Sequence, residues 1–235
     1  TVYQLTGKEL KKYMEWSAGY FNQLHDGDVT YSFNPQRRAS KYSTNDFFDG
    51  VTYKIDLRQP VGQRIRDLQM ADGTPVTDST PIRLGMNSYR MGHLTQKGGA
   101  LEGMQFPVLS DSKAEYGEEA GTIRNLTIRY LTEVKKGQYQ GQAVQRWQLV
   151  GLEGYDRERK IVEKLLNDGK ISVPMSDDGR YSNVASINVK GLLFNDPQAK
   201  KQKQSALQAE LAAASSPAAK KFVSDQLVIL EAINE

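Results

Sequence analysis

This sequence predicts an α+β domain, with mixed sheets covered by segregated helices and a helical extension at its C-terminus. Three observations lead there. Stretches such as Val51-Thr52-Tyr53-Lys54-Ile55-Asp56-Leu57 alternate polar and apolar residues with the period of a half-buried strand. Other stretches place apolar residues three and four apart, the spacing of one helix face. The two kinds follow one another as strand, helix, strands, helix, strand, helix, strand, which is not a strict βαβ alternation. With 235 residues, 38% of them hydrophobic, the chain can bury a sizeable core. The predicted domain covers residues 1–194, and 195–235 form the extension or linker.

Val2-Tyr3-Gln4-Leu5 is strand-like, and Thr1 opens inside it, so the sequence reads as a piece of something longer. Thr6 and Glu9 make a capping box, in which a hydroxyl and a carboxylate three residues apart satisfy two orphan amides at a helix start. The helix that follows carries Leu10, Tyr13, Met14, Ser17, Tyr20 and Phe21 on one face. From His25-Asp26-Gly27-Asp28 to Gly50 the chain reads as a long aromatic loop with Phe33, Tyr42, Phe47 and Phe48. Strands follow at 51–57 and 64–70, joined onward by the Ala71-Asp72-Gly73-Thr74 turn. A buried strand from Ile82 to Met86 then runs into an Asn87-Ser88-Tyr89-Arg90 corner.

Residues 91–112, with Gly92, Gly98, Gly99 and Gly103, read as an irregular excursion. A helix is predicted over 118–136, apolar at Ile123, Leu126, Tyr130, Leu131 and Val134 and stopped by Gly137. A strand at 146–150, a helix at 156–167 and an alternating strand at 184–189 complete the domain. In the extension, helices are predicted at 198–214 and 217–233, the second started by Ser216 at N-cap and Pro217 at N1. Its face of Phe222, Val223, Leu227, Leu230 and Ile233 should pack on the domain or on a second copy.

Composition narrows the chemistry. A net charge of +3, from 31 basic and 28 acidic residues, points to neither a nucleic-acid polymer nor a membrane surface as partner. No apolar run reaches transmembrane length. There is no cysteine, which excludes disulfides, zinc–thiolate sites and thiol nucleophiles. The two histidines, His25 and His93, lie far apart and outside any ligand-spaced pattern. Asp26-Gly27-Asp28 and Asp177-Asp178-Gly179 lack the further carboxylates of a calcium loop and read as surface turns. Gly98-Gly99-Ala100-Leu101-Glu102-Gly103 lacks the Lys-Ser/Thr of a phosphate loop. No Gly-x-Ser-x-Gly elbow marks a nucleophilic serine. Arg37-Arg38 beside Phe33 and Tyr42 fits either an anion clamp or a solvated loop. Asn125-Leu126-Thr127 matches a glycosylation sequon by chance on a helix.

What remains is the corner at Tyr89. Its ring fits two readings, a core-edge residue with a wet hydroxyl or a stacking face for a nucleobase, with Asn87 and Arg90 supplying polar contacts. No residue of this chain is expected to be catalytic, and none to bind metal.

Several stretches together resemble the C-terminal domain of the 5′-nucleotidase family, nearest its bacterial 2′,3′-cyclic-nucleotide 2′-phosphodiesterase/3′-nucleotidase branch. They are Leu5-Thr6-Gly7-Lys8-Glu9-Leu10 with Trp16-Ser17-Ala18-Gly19, Asp49-Gly50-Val51-Thr52-Tyr53, Arg64-Ile65, Asn87-Ser88-Tyr89-Arg90, Ile123-Arg124-Asn125-Leu126 and the Trp147 strand. The resemblance covers residues 1–194. It implies a substrate-recognition domain that orients a nucleotide, the base held between two aromatic rings, of which Tyr89 is one. The second ring, and an N-terminal metallophosphoesterase partner domain with two divalent metal ions, would lie upstream of Thr1. Relatives carry a Gly-Gly run after the aromatic motif, where this sequence has Met91-Gly92-His93-Leu94. The resemblance further implies an extracellular or cell-wall-associated bacterial protein, and a domain inactive by itself. The competing reading is a surface or adhesion module that binds a protein or polymer through the aromatic loop 31–48.

Overall fold

The computed structural model describes residues 1–39, 44–141 and 143–235; Tyr42 of the aromatic loop lies outside the described residues. β1 (Val2–Thr6) runs directly into α1 (Gly7–Ala18). The capping box forms as expected. The Thr6 N–H and hydroxyl donate to Glu9 Oε2 at 2.6 and 2.8 Å, and the Glu9 N–H donates to Thr6 Oγ1 at 3.4 Å. Gly7 sits at the junction because a Cβ there would lie 2.0 Å from the Thr77 carbonyl oxygen. A short α2 (Pro35–Ala39) follows within the region read as loop, then β2 (Val51–Asp56), β3 (Ile65–Met70) and β4 (Pro81–Gly85).

β4 is not the buried strand expected. Only Ile82 is buried; Pro81, Arg83 and Gly85 are exposed and Leu84 is half-buried, so the strand covers the core with one face. The stretch read as irregular opens with a helix, α3 (Ser88–Thr95), which buries Met91 and Leu94. Gly92 in its middle, which disfavours helix by about 1 kcal/mol relative to Ala, hid it. Asn87 at N-cap and the Met91–Leu94 spacing were the opposing signals.

β5 (Val108–Ser110) and α4 (Ser112–Tyr116) precede α5 (Ile123–Arg129), whose ladder widens into a π-turn over Tyr130–Val134. The helix expected over 118–136 therefore starts later, where the Thr122 hydroxyl accepts the Asn125 N–H at 3.3 Å. Gly137, at φ +76°, stops it as expected and donates its N–H to Leu131 O at 2.9 Å. The apolar residues of this helix do not form a buried stripe: Ile123 is 69% exposed and Val134 64%.

β6 (Trp147–Val150) and α6 (Asp156–Asn167) fall where predicted. Residues 184–189 make no strand. Asn188 forms one isolated bridge with Asp28, and the flanking bonds run from Val29 N–H to Ile187 O and from Val189 N–H to Gly27 O. The alternation is real, since Ile187 and Val189 are buried. Their partner is a loop, however, which offers no ladder to extend. α7 (Pro197–Ala213) and α8 (Pro217–Ile233) close the chain, both with Pro in the first turn and side-chain caps, from Asp196 and Ser216.

The strands form two three-stranded sheets, ordered β4-β1-β5 and β3-β2-β6. The first is antiparallel, in register from Val2↔Gly85 to Thr6↔Pro81, with a shift on its β5 side between Val2 and Tyr3. The second is mixed. Tyr53 N–H bonds Arg146 O and Leu57 N–H bonds Val150 O, so β6 advances with β2. Asp56 N–H bonds Arg64 O and Ala71 N–H bonds Gly50 O, so β3 runs against it.

By packing, the described residues divide into two compact units. The first comprises Thr1–Trp16, Phe48–Tyr53 and Asp67–Gln148, and buries Leu5, Leu10, Tyr13, Phe48, Ile82 and Leu94. The second comprises Ser17–Phe47, Lys54–Arg66 and Leu149–Glu235. Its core joins Val29, Val162, Ile187 and Val189 to Val223, Ile229, Leu230 and Ile233 of α8, so the extension's apolar face packs within this unit. A buried arginine, 1% exposed, links segments of the second unit. Arg64 donates from Nη1 to the carbonyls of Ala18 and Phe21, at 2.9 and 2.8 Å, and from Nε to Gln59 O at 3.0 Å. The Ala18 carbonyl ends α1, and the buried Phe21 carbonyl just beyond it takes its donor from Arg64.

Candidate functional site

In the first unit, the end of β4 delivers Asn87 in an extended conformation (φ −75°, ψ 147°) as the N-cap of α3. Its side-chain oxygen accepts the Arg90 N–H at 2.7 Å, the bond that starts the helix. Ser88 and Tyr89 therefore occupy the first two helical positions. Tyr89 is 62% exposed, and its ring is not walled in by core residues. Arg90 goes the other way. Its guanidinium carbon lies 5.4 Å from the centroid of the Trp16 ring, within cation–π range.

Trp16 is the residue that sequence reasoning missed. It meets His93 edge-to-face at 5.5 Å and 62°, and stands 6.1 Å from Tyr13. Tyr13 in turn packs edge-on against Phe48 at 4.8 Å, and Phe48 against Tyr53 at 6.1 Å. An aromatic chain thus leads from the core outward to the base of α3. Burial pushes the Tyr53 phenol up to about 12. The signal for it in the sequence was the spacing of Tyr13 and Trp16 on one helix face, two turns after the capping box.

The glycine-rich stretch closes the other end of α3. Leu101 N–H bonds Leu94 O at 2.8 Å, and Gly103 N–H bonds Thr95 O at 2.9 Å. A Cβ on Gly99 would lie 2.2 Å from Leu94 O, so glycine is required there for close backbone approach and not for cradling phosphate.

Other candidate residues are occupied structurally. In the second unit, Asp28 accepts the His25 N–H at 2.7 Å and the Asn188 amide at 2.8 Å. Asp26 is held below the usual carboxylate range by Lys190 and the Tyr155 hydroxyl. Asp178, bonded by Ser176 and by the backbone and side chain of Arg180, is lowered to about 2. Both acidic corners are thus turns, and no group of three or more His, Cys, Asp or Glu side chains converges among the described residues. Arg38 stacks between Phe33 and Tyr181, 5.6 and 5.4 Å from their centroids, and donates to Ser182 O. Phe33 also packs on Tyr20 and Phe21, and Phe48 is buried, so much of the aromatic loop faces inward while Phe47 is 67% exposed. No described helix is long and apolar enough to cross a membrane.

Part of the chain is similar to known proteins. Residues 1–97 match the family model of the 5′-nucleotidase C-terminal domain. The chain is 30% identical over 148 residues to the trifunctional nucleotide phosphoesterase protein YfkN of Bacillus subtilis, covering 57% of this chain and 9% of that protein. It is 31% identical over 113 residues to a 2′,3′-cyclic-nucleotide 2′-phosphodiesterase/3′-nucleotidase of Salmonella typhimurium, covering 38% and 16%. A Yersinia enterocolitica protein of the same name is 29% identical over 168 residues, covering 64% and 24%. The chain therefore spans between 9% and 24% of the length of these bacterial relatives. Residues 1–97, α3 and Tyr89 included, are thus similar to the 5′-nucleotidase C-terminal domain, and parts of the chain are similar to bacterial 2′,3′-cyclic-nucleotide 2′-phosphodiesterase/3′-nucleotidases.

Proposed function

We propose that this chain is the nucleoside-recognition part of a 2′,3′-cyclic-nucleotide 2′-phosphodiesterase/3′-nucleotidase, an exported or cell-wall-associated hydrolase of nucleotide catabolism. The observation that carries the reading is the exposed ring of Tyr89 at the start of α3, inside the family-matched segment. A purine stacked on that ring would gain about 1–3 kcal/mol, with its sequence neighbours Asn87 and Arg90 as the proposed polar contacts. Arg90 rests over Trp16, away from the Tyr89 ring, so a contact from it to the ligand requires the guanidinium to leave the indole.

In this reading hydrolysis belongs to a metallophosphoesterase domain outside this chain, whose two divalent ions would activate water for attack at phosphorus. This domain's contribution is orientation. Thr1 N–H bonds Met86 O at 3.1 Å, so polypeptide joined to Thr1 would arrive three residues from Tyr89, where a second ring could complete a sandwich. The chain alone should then bind nucleosides in the millimolar range or weaker, and hydrolyse nothing.

Titration of the chain with adenosine and 3′-AMP, followed by amide shifts, tests this. Shifts clustered on residues 87–93 and lost in Tyr89→Ala support the proposal. Shifts centred elsewhere, or cyclic-nucleotide hydrolysis by the purified chain with added divalent metal, would overturn it.

A further inference from the structure

The second unit contains a cavity of about 310 Å³ between residues 218–229 of α8 and the 172–187 segment, outside the family-matched residues. That volume lies at the lower end of small-molecule sites. Its walls are apolar, from Pro174, Val184, Ile187 and Ile229, and the half-exposed Met175 and Phe222 also line it. Its one buried charge is Asp225, 6% exposed. Asp225 Oδ2 accepts the Ser172 N–H at 3.1 Å and the Ser172 hydroxyl at 3.2 Å, while Oδ1 accepts Lys221 Nζ. A carboxylate accepts about four hydrogen bonds, so Oδ1 has room for a further donor.

We propose that this cavity binds a small organic cation with an apolar body, its ammonium group taking the place of Lys221 on Asp225. The asymmetry of the ion pair decides the sign of the ligand. The Lys221 side chain is 51% exposed and that of Asp225 only 9%, so Lys221 can swing into water at little cost when another cation replaces it. An anionic ligand would have to draw Lys221 away and leave a buried carboxylate without its counter-charge, which is strongly unfavourable. Ser172 keeps the carboxylate oriented throughout the exchange, and the apolar walls take the hydrocarbon body of the ligand.

The test is a titration of the whole chain with 2-phenylethylamine, 2-phenylethanol and phenylacetate, followed by amide and methyl shifts. Saturable shifts at Ser172, Met175 and Phe222 are expected with the amine, with the alcohol about tenfold weaker and phenylacetate without effect. Asp225→Asn should abolish amine binding. Because that substitution also removes an anchor of Ser172, Ala218→Phe, which fills the cavity and spares the ion pair, serves as the second variant and should abolish binding in a folded chain. Phenylacetate binding as tightly as the amine, no binding of the amine, or amine binding unchanged in Ala218→Phe would each overturn the proposal.

Discussion

The Arg90 guanidinium lies over the Trp16 indole, 5.4 Å from its centroid, and so ties the first turn of α3 to α1. The two neighbours in sequence, Tyr89 and Arg90, thereby part company: one faces solvent and the other is pinned. Trp16→Leu should lower stability by about 1–2 kcal/mol through the lost cation–π and ring contacts, while Trp16→Phe keeps part of both. Urea unfolding midpoints measure this. A Leu variant as stable as the parent would show that the stacked pair contributes nothing.

For Tyr89 the expectation is the reverse. Its exposed ring supports no core, so Tyr89→Ala should change stability by no more than about 0.5 kcal/mol. In a full-length enzyme carrying this domain, the same change should raise KM for nucleotides about tenfold, the equivalent of about 1.4 kcal/mol. KM for a small aryl phosphate should stay put. Equal effects on the two substrates would remove the case for base stacking.

Arg64→Met should be among the most damaging single changes in the second unit. It strips the Arg64 donors, at 2.8 to 3.0 Å, from the buried carbonyls of Phe21 and Ala18, the latter keeping only the 3.3 Å bond from the Phe21 N–H, and from the part-buried carbonyl of Gln59. A buried acceptor left unsatisfied costs about 1–3 kcal/mol, so a loss of about 2 kcal/mol is expected. Arg64→Lys should rescue little, because one ammonium cannot span three acceptors in the geometry of the guanidinium fork. Calorimetric Tm values for the two variants decide it.

Asp56 and Arg58 predict a pH dependence. Arg58 donates from Nε to Asp56 Oδ1 at 2.9 Å and from Nη2 to Oδ2 at 3.0 Å, and this side-chain pairing holds the carboxyl below its ordinary value. A carboxylate depressed in the folded state stabilises the fold above its unfolded pKa of about 3.9. That contribution disappears as pH falls through the lower folded value. Since the Arg58 side chain is 54% exposed, solvent screening limits the pair to about 1 kcal/mol. Arg58→Gln should therefore cost that much at pH 7 and progressively less below about pH 4. Denaturant midpoints across that range provide the measurement, and a deficit constant with pH would count against the pairing.

Local rules reached far into this fold. The Thr6–Glu9 box, the Ser216-Pro217 start, the Gly137 stop and the helix at 156–167 could all be read because each depends on groups within a few residues of one another. The class of fold followed from them, and so did the Asn-Ser-Tyr-Arg segment as the place to look. That this segment starts a helix was masked in the sequence, because Gly92 spoke against the cap at Asn87 and the Met91–Leu94 spacing, and the burial of those two residues settled it only from across the fold.

Residues 184–189 have the alternation of a strand, but pairing needs a partner edge, and the chain folded a loop against them. Ile123, Tyr130 and Val134 have the spacing of a buried stripe, but burial needs a covering element, and none of the described residues covers Ile123 or Val134. Only the tertiary structure turned Tyr89 outward, laid Arg90 over Trp16 and enclosed Asp225 beneath an apolar cavity. Periodicity reports which residues could share a face. What that face meets is decided by contacts between segments far apart in the chain.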